Sequence, residues 1–240
     1  MCIRDRINIV KKIIKLLYPS TCIFCGKLCE EGICDTCRRK VVYIKEPRCK
    51  RCGKPIHSKE EEFCYDCRKG EFHYEQGRSL WLHKPPVSGS IYAFKYKNRR
   101  VYGEVYGKEM AKHFEKWIRM WEIDLIVPVP LYKKKQRKRG FNQAAIVAEE
   151  LGKRLGIPVD SSLVIREKET TPQKELGQRS RRKNLKKAFR VVKQEEKNRK
   201  VLIIDDIYTT GSTIDSIAEI LEKAGYEKIY FLTISIGQGF

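Results

Sequence analysis

The sequence predicts an α/β fold, a parallel sheet with helices against it, preceded by a small cysteine-rich segment that metal ions hold together. Three observations predict this. Val201, Leu202, Ile203 and Ile204 follow one another without a polar residue between them, so both faces of that strand are covered, as in the middle of a parallel sheet. Two further apolar runs, Asp124 to Pro130 and Ile229 to Ser235, are separated from it by stretches whose apolar residues recur at helical spacing. Eight of the ten cysteines form four Cys-x-x-Cys pairs, all between Cys22 and Cys67.

A chain of 240 residues, 41% of them hydrophobic, can hold one ordinary domain and a small one. Its 51 Lys and Arg against 30 Asp and Glu leave a net charge of +21, a field that favours polyanions or multiply phosphorylated ligands and also serves solubility. No apolar run reaches the roughly 18 residues of a membrane-spanning helix. Ile7 to Leu17 is broken by Lys11, Lys12 and Lys15 and puts Ile7, Val10, Ile14 and Leu17 on one face, so residues 1–17 read as a short amphipathic helix and not as a signal peptide. With no secretion signal, the expected location is cytoplasmic, and the expected division is 18–72 for the metal-binding segment and 77–240 for the sheet.

The cysteine pairs are Cys22/Cys25, Cys34/Cys37, Cys49/Cys52 and Cys64/Cys67. Two thiolates separated by two residues turn around one tetrahedral Zn2+, and two such pairs close a four-cysteine structural site, so four pairs make two sites. Sequential grouping closes the shorter loops at lower entropic cost, with an interleaved cross-brace as the alternative. Disulfides would need an oxidising compartment. Gly26 and Gly53 follow the second cysteine of the first and third pairs, where the turn suits a residue without Cβ. Cys2 and Cys29 are unassigned, and His57 and His73 read as surface residues. So small a segment has little core, and bound zinc supplies folding free energy of about 10 to 16 kcal/mol. Arg38, Arg39, Lys40, Lys45, Arg48, Lys50, Arg51 and Lys54 surround the sites as a basic surface compatible with nucleic acid.

Arg78 to His83 reads as an edge strand interrupted by Pro85 and Pro86. Ile91, Phe94, Val101, Val105, Met110 and Phe114 follow helical spacing to about Met120, and Lys95 to Arg100 among them is either a solvated turn or a basic lip to a site. Asp124 to Pro130 is a buried strand ended by two prolines. The densest positive run comes next, Lys133 to Arg139, either a merely solvated loop or, from its place after a sheet strand, one that meets a ligand, and Gly140 releases the chain from it into a helix beginning near Phe141 or Asn142 and ending at Gly156-Ile157-Pro158. From Val164 to Phe189 the chain is polar and basic with few apolar anchors, as mobile lids are. Ala188 to Val192 returns to a strand pattern, followed by a charged turn to Lys200.

At the end of the 201–204 run stand Asp205 and Asp206, placed at the lip of a crevice, since open α/β sheets bind ligands beyond the carboxyl ends of their strands. Thr209, Thr210, Gly211, Ser212 and Thr213 then form a hydroxyl-rich turn, and Ile214, Ile217, Ala218 and Leu221 place that turn at a helix N-terminus, where amides and dipole favour a phosphate. The alternative is a core strand with an ordinary polar cap. No Gly-Lys-Ser/Thr of a Walker loop is present. Gly225 ends the last helix, and Ile229 to Ser235 is the closing strand.

The run Val201 to Thr213 resembles the phosphoribosyl-pyrophosphate (PRPP) motif of class I phosphoribosyltransferases, a hydrophobic strand, two acidic residues and a TTG-S/T turn. The resemblance implies that Asp205 and Asp206 hold the ribose hydroxyls and that Thr209, Thr210, Gly211, Ser212 and Thr213 wrap the 5′-phosphate. Val127 to Leu131 (VPVPL), Arg139 to Ala144 (RGFNQA), and Thr170, Gln173, Arg182, Asn184, Ala188 and Phe189 narrow the resemblance, which spans nearly the whole chain from Tyr18, to the ComF family. That family joins an N-terminal double zinc ribbon to a phosphoribosyltransferase domain, and several members act in natural competence. It implies two structural Zn2+, PRPP with Mg2+ supported by Asp205 and Asp206, pyrophosphate met by Pro128, Val129, Pro130 and Arg139, and single-stranded DNA and competence-machinery proteins as partners. Arg166, Lys168, Lys174, Arg179, Arg181 and Arg182 are further candidates for the pyrophosphate. No residue stands out as a general base for an acceptor.

Overall fold

The computed structural model describes residues 20–168, 188–192 and 199–237. The expected helix of residues 1–17 lies outside them, as do Cys2, Thr170, Gln173, Lys174, Arg179, Arg181, Arg182 and Asn184. Two short helices, α1 (Asp35–Lys40) and α2 (Tyr65–Lys69), each begin just after a cysteine. The sheet strands are β1 (Gln76–Leu82), β2 (Leu125–Pro128), β5 (Lys200–Tyr208) and β6 (Lys228–Ile236), in the order β1-β6-β5-β2 and all parallel. Strands β3 (Val164–Arg166) and β4 (Phe189–Val191) form a separate antiparallel pair. Helices α3 (Val87–Tyr96), α4 (Val101–Met120), α5 (Lys133–Arg139), α6 (Gln143–Leu155) and α7 (Ser212–Lys223) are the remaining helices among the described residues.

The apolar run at 201–204 is buried on both sides, as its lack of alternation requires. Leu202 and Ile204 face one cluster, with Trp81, Phe94, Tyr106, Met110 and Leu151, while Val201 and Ile203 face another, with Phe231, Ile217 and Leu221. Each cluster also takes in one half of the cysteine-rich segment: Cys22, Ile23, Ile33 and Cys37 join the first, and Cys49, Cys52, Cys64 and Cys67 the second. The segment therefore straddles the β1 end of the sheet and caps both of its faces.

Four expectations change. β1 is the last strand of the sheet, but its outer edge is occupied: Leu82 N–H donates to Val42 O (3.0 Å), Ile44 N–H donates to Leu80 O (3.4 Å), and Tyr43 bridges Trp81. The helical spacing from Ile91 to Met120 belongs to two helices, divided where Asn98 adopts a left-handed φ of 51°. The basic run Lys133 to Arg139 is a helix and not a loop, closed by Gly140 at φ 79° with its N–H donating to Gln136 O. β5 extends to Tyr208, so Asp205 and Asp206 lie within the strand, Asp205 in register with Thr233.

Candidate active site and metal centres

The four cysteine pairs gather into two tetrads, Cys22/Cys25/Cys34/Cys37 and Cys49/Cys52/Cys64/Cys67, with the sulfurs of each within 4.8 Å of one another. The grouping is sequential, and the cross-brace is excluded. None of the nine described cysteines is in a disulfide. Cys25 Sγ to Cys34 Sγ and Cys52 Sγ to Cys64 Sγ are both 3.7 Å, close to the edge of about 3.8 Å that a tetrahedron with Zn–S bonds near 2.3 Å requires. Both donor sets therefore fit Zn2+. Gly26 and Gly53 have φ of 74°, the left-handed turn that a knuckle needs. The second tetrad is fully buried, whereas Cys25 of the first is exposed.

The basic residues around these sites are largely engaged inside the molecule. Arg38 grips Glu109 of α4 at two points, 2.9 and 3.1 Å. Lys54 is buried against Asp66 (2.7 Å), Arg48 pairs with Glu46 and lies over Trp117, Lys50 pairs with Glu62, and Arg51 lies over Phe63 and Phe72. The exposed residues left of the expected nucleic-acid surface are Arg39, Lys40, Lys45 and Lys50, the last paired with Glu62 at the surface. His57 is exposed as expected, but His73 is not a plain surface residue. Its N–H donates to Asp215 Oδ1 (2.9 Å), and its Nδ1 lies 3.1 Å from the same oxygen, which ties the cysteine-rich segment to α7.

Because all four strands run parallel, their carboxyl ends meet at one edge. There β5 presents Asp205 and Asp206, and β2 leads into Val129 and Pro130. Asp206 N–H donates to Asp205 Oδ1 (2.8 Å). Burial, then the neighbouring Asp206, pushes the Asp205 carboxyl up to about 7, against the opposing pull of that N–H, Lys95 and Arg166. Lys95 of α3 lies 2.8 Å from Asp206 Oδ1, so the segment Lys95 to Arg100 begins as a lip of the site.

The turn expected to take a phosphate sits where helix geometry puts it. α7 starts at Ser212, and Gly211 precedes it at φ 76°. A Cβ on Gly211 would come within 2.4 Å of the Tyr208 hydroxyl, itself 2.7 Å from Tyr74 Oη. Only glycine fits this turn, and the first N–H groups of α7 have no carbonyl within their own helix. Thr210 Oγ1 and Ser212 Oγ are 2.9 Å apart. On the other side, Val129 N–H donates to Ile204 O (2.9 Å), and Asn142 Nδ2–H donates to Val129 O (3.0 Å) while Asn142 Oδ1 caps α6 at Ala144 N–H (3.1 Å). One side chain thus fixes both the Pro128-Val129-Pro130 turn and the next helix. Arg139 pairs with Gln143, and its guanidinium lies 5.1 Å from the Tyr96 ring centroid, beside Lys95.

His83 was not among the expected site residues. It lies just past the carboxyl end of β1 with Nδ1 2.9 Å from Ser235 Oγ. Burial and then Lys95 hold its pKa below the usual imidazole value, opposed by Asp206. Its position immediately after a sheet strand was the signal that could have found it. Among the pyrophosphate candidates, Arg166 lies over the Phe189 ring and near enough to Asp205 to favour its ionised form.

Comparison with known proteins gives two family matches: a double zinc ribbon domain over residues 13–68 and a phosphoribosyl transferase domain over residues 111–235. The chain is 33% identical over 216 residues to competence protein F of Haemophilus influenzae, covering 87% of this chain and 93% of that protein. It belongs to the ComF family. Similarity extends to the Escherichia coli DNA utilization protein YhgH, 30% identical and covering 88% of this chain and 94% of the relative. The Bacillus subtilis competence protein ComFC is 26% identical, covering 82% of this chain and 80% of the relative. Within this ComF-family chain, no helix among the described residues is long and apolar enough to cross a membrane.

Proposed function

We propose that this ComF-family protein binds PRPP with Mg2+ in the crevice and transfers its phosphoribosyl group to an acceptor, in the service of natural competence. The observation that carries the reading is the acidic pair of β5 followed, at the same sheet edge, by a glycine turn that opens α7. In this reading Asp205 and Asp206 hold the ribose hydroxyls and support Mg2+, directly or through water. Thr209, Thr210, Gly211, Ser212 and Thr213 hold the 5′-phosphate. Pro128, Val129 and Pro130 shape the pyrophosphate seat, and Arg139 neutralises it. Mg2+ supplies charge compensation on the leaving diphosphate. Departure of pyrophosphate leaves positive charge on the ribosyl group, which the carboxylates stabilise in a half-buried place where their field is little screened. Zn2+ serves residues 18–72 as a structural element, residues 77–240 carry the chemistry, and the protein works in the cytoplasm beside the competence machinery, as the names of two relatives suggest.

A second reading, PRPP-responsive binding of single-stranded DNA without turnover, is favoured by one surface. Among the described residues Lys133, Lys134, Lys135, Arg137 and Lys138 of α5 form no ion pair. Beside them Tyr92 and Tyr96 are 57% and 63% exposed with ring centroids 4.9 Å apart. Unpaired cations next to exposed rings suit a strand of phosphates and bases.

Calorimetry of PRPP with Mg2+ tests the first reading. Wild-type, zinc-loaded protein should bind, and the double variant Asp205→Ala with Asp206→Ala should not; equal binding by both would overturn it. Pyrophosphate release on adding acceptors then separates transfer from binding alone, and an oligo-dT titration should weaken steeply with salt if the second reading holds.

A further inference from the structure

Two carboxylates adjacent in sequence share a half-buried place at the carboxyl end of β5, and each is relieved differently. Asp205 is relieved by the Asp206 backbone N–H, which donates to its Oδ1 at 2.8 Å. Asp206 is relieved by Lys95, whose Nζ lies 2.8 Å from Oδ1 with the two side chains only 19% and 16% exposed. A cation that takes Asp206 Oδ1 displaces that ammonium, and an anion that arrives brings it a new partner. We propose that Lys95 is a transferable counter-ion: it neutralises Asp206 in the empty protein and passes to the diphosphate of the incoming ligand when a divalent cation takes the carboxylate.

The chemistry of the contact supports transfer over a permanent tie. The Arg38–Glu109 pair is a two-point guanidinium grip on a carboxylate that is 1% exposed, and the one-point Lys54–Asp66 pair buries its lysine to 5% exposure, whereas Lys95 keeps 19% of its side chain exposed. Lys95 makes a one-point contact through a flexible four-carbon stem, whose ammonium can swing between neighbouring anions. It stands in the last turn of α3, next to Tyr96, over which Arg139 lies, so its alternative positions remain within a cationic environment suited to phosphates. Of the other titratable groups around the pair, His83 and Asp205 lie near Lys95, Tyr106 lies near Asp206, and Arg166 lies near Asp205.

The inference rests on the PRPP reading above and makes a prediction of opposite signs. In Lys95→Gln, Mg2+ alone should bind the empty site more tightly than in wild type, because its competitor is gone. PRPP with saturating Mg2+ should bind more weakly, because one cation on the diphosphate is lost. Each change should be about tenfold, within the range of coupled binding equilibria. Lys95→Arg should move the metal arm the other way, since a guanidinium grips Asp206 at two points, and it keeps the test alive if the glutamine variant does not fold. Both titrations are read by calorimetry on zinc-loaded protein, with Lys116→Gln, an exposed position of α4, expected to leave both affinities unchanged. If both affinities fall together in Lys95→Gln, or metal affinity does not change while PRPP binding is intact, the role of Lys95 is overturned and the PRPP reading stands. If wild type binds no PRPP, the reading beneath it fails.

Discussion

Asp205 makes the acidic pair a pH-sensitive element. Its folded carboxyl titrates at about 7, above the unfolded value near 3.9. The folded protein therefore holds that proton more tightly, and the stability it contributes is complete below about pH 4 and is lost as pH rises through 7. Urea unfolding of Asp205→Asn should show a flatter stability curve between pH 4 and 7, by up to about 1.4 kcal/mol per pH unit; an unchanged slope would place the proton elsewhere. In the proposed reading Mg2+ needs the ionised carboxyl, so its affinity should climb over the same range. The identity of the pair was legible in the sequence, because a four-residue apolar run ending in two aspartates has few physical explanations. Its partner was not: Lys95 and Asp206 are separated by 111 positions, and no local pattern encodes which of many lysines will reach a given carboxylate.

At the scale of elements, the turn between β5 and α7 has the least freedom. Gly211→Ala would put a methyl into left-handed backbone and against the Tyr208 hydroxyl. The backbone cost is about 1 to 2 kcal/mol and the collision adds to it. The expected result is a lower thermal midpoint together with lost PRPP affinity, whereas Gly156→Ala, with open space around its Cβ, should lose stability alone. The strands and the helices α6 and α7 could be read from periodicity because burial imposes it. Helix α5 could not. Six of its seven residues are basic, and like charges three and four apart disfavour a helix, so its formation depends on neighbours: Arg139 on Gln143 and Tyr96, and Gly140 closing the last turn. The helix break at Asn98 was equally hidden, since apolar spacing continues across it.

Across the whole molecule, the cysteine-rich segment is bound to the helices α4 and α7 by polar ties, Arg38 to Glu109 and His73 to Asp215, of residues that the sequence suggested were surface. Arg38→Ala would strand Glu109, 1% exposed, without its grip. Loss of one partner from a buried pair costs about 3 to 5 kcal/mol, and guanidinium unfolding should register it, with Lys40→Ala, an exposed neighbour, near zero. Chelating zinc should go further. The segment loses the free energy that folds it, and both core clusters lose one wall. The backbone of residues 42–44 also lets go of β1. What is then uncovered is a seven-residue strand, Gln76–Leu82, with an apolar Leu-Trp-Leu end and a free row of amides and carbonyls. Such an edge is a template for another copy of itself. Zinc deprivation should therefore show first as turbidity that rises with protein concentration, so that metal supply governs colloidal solubility before it governs any ligand.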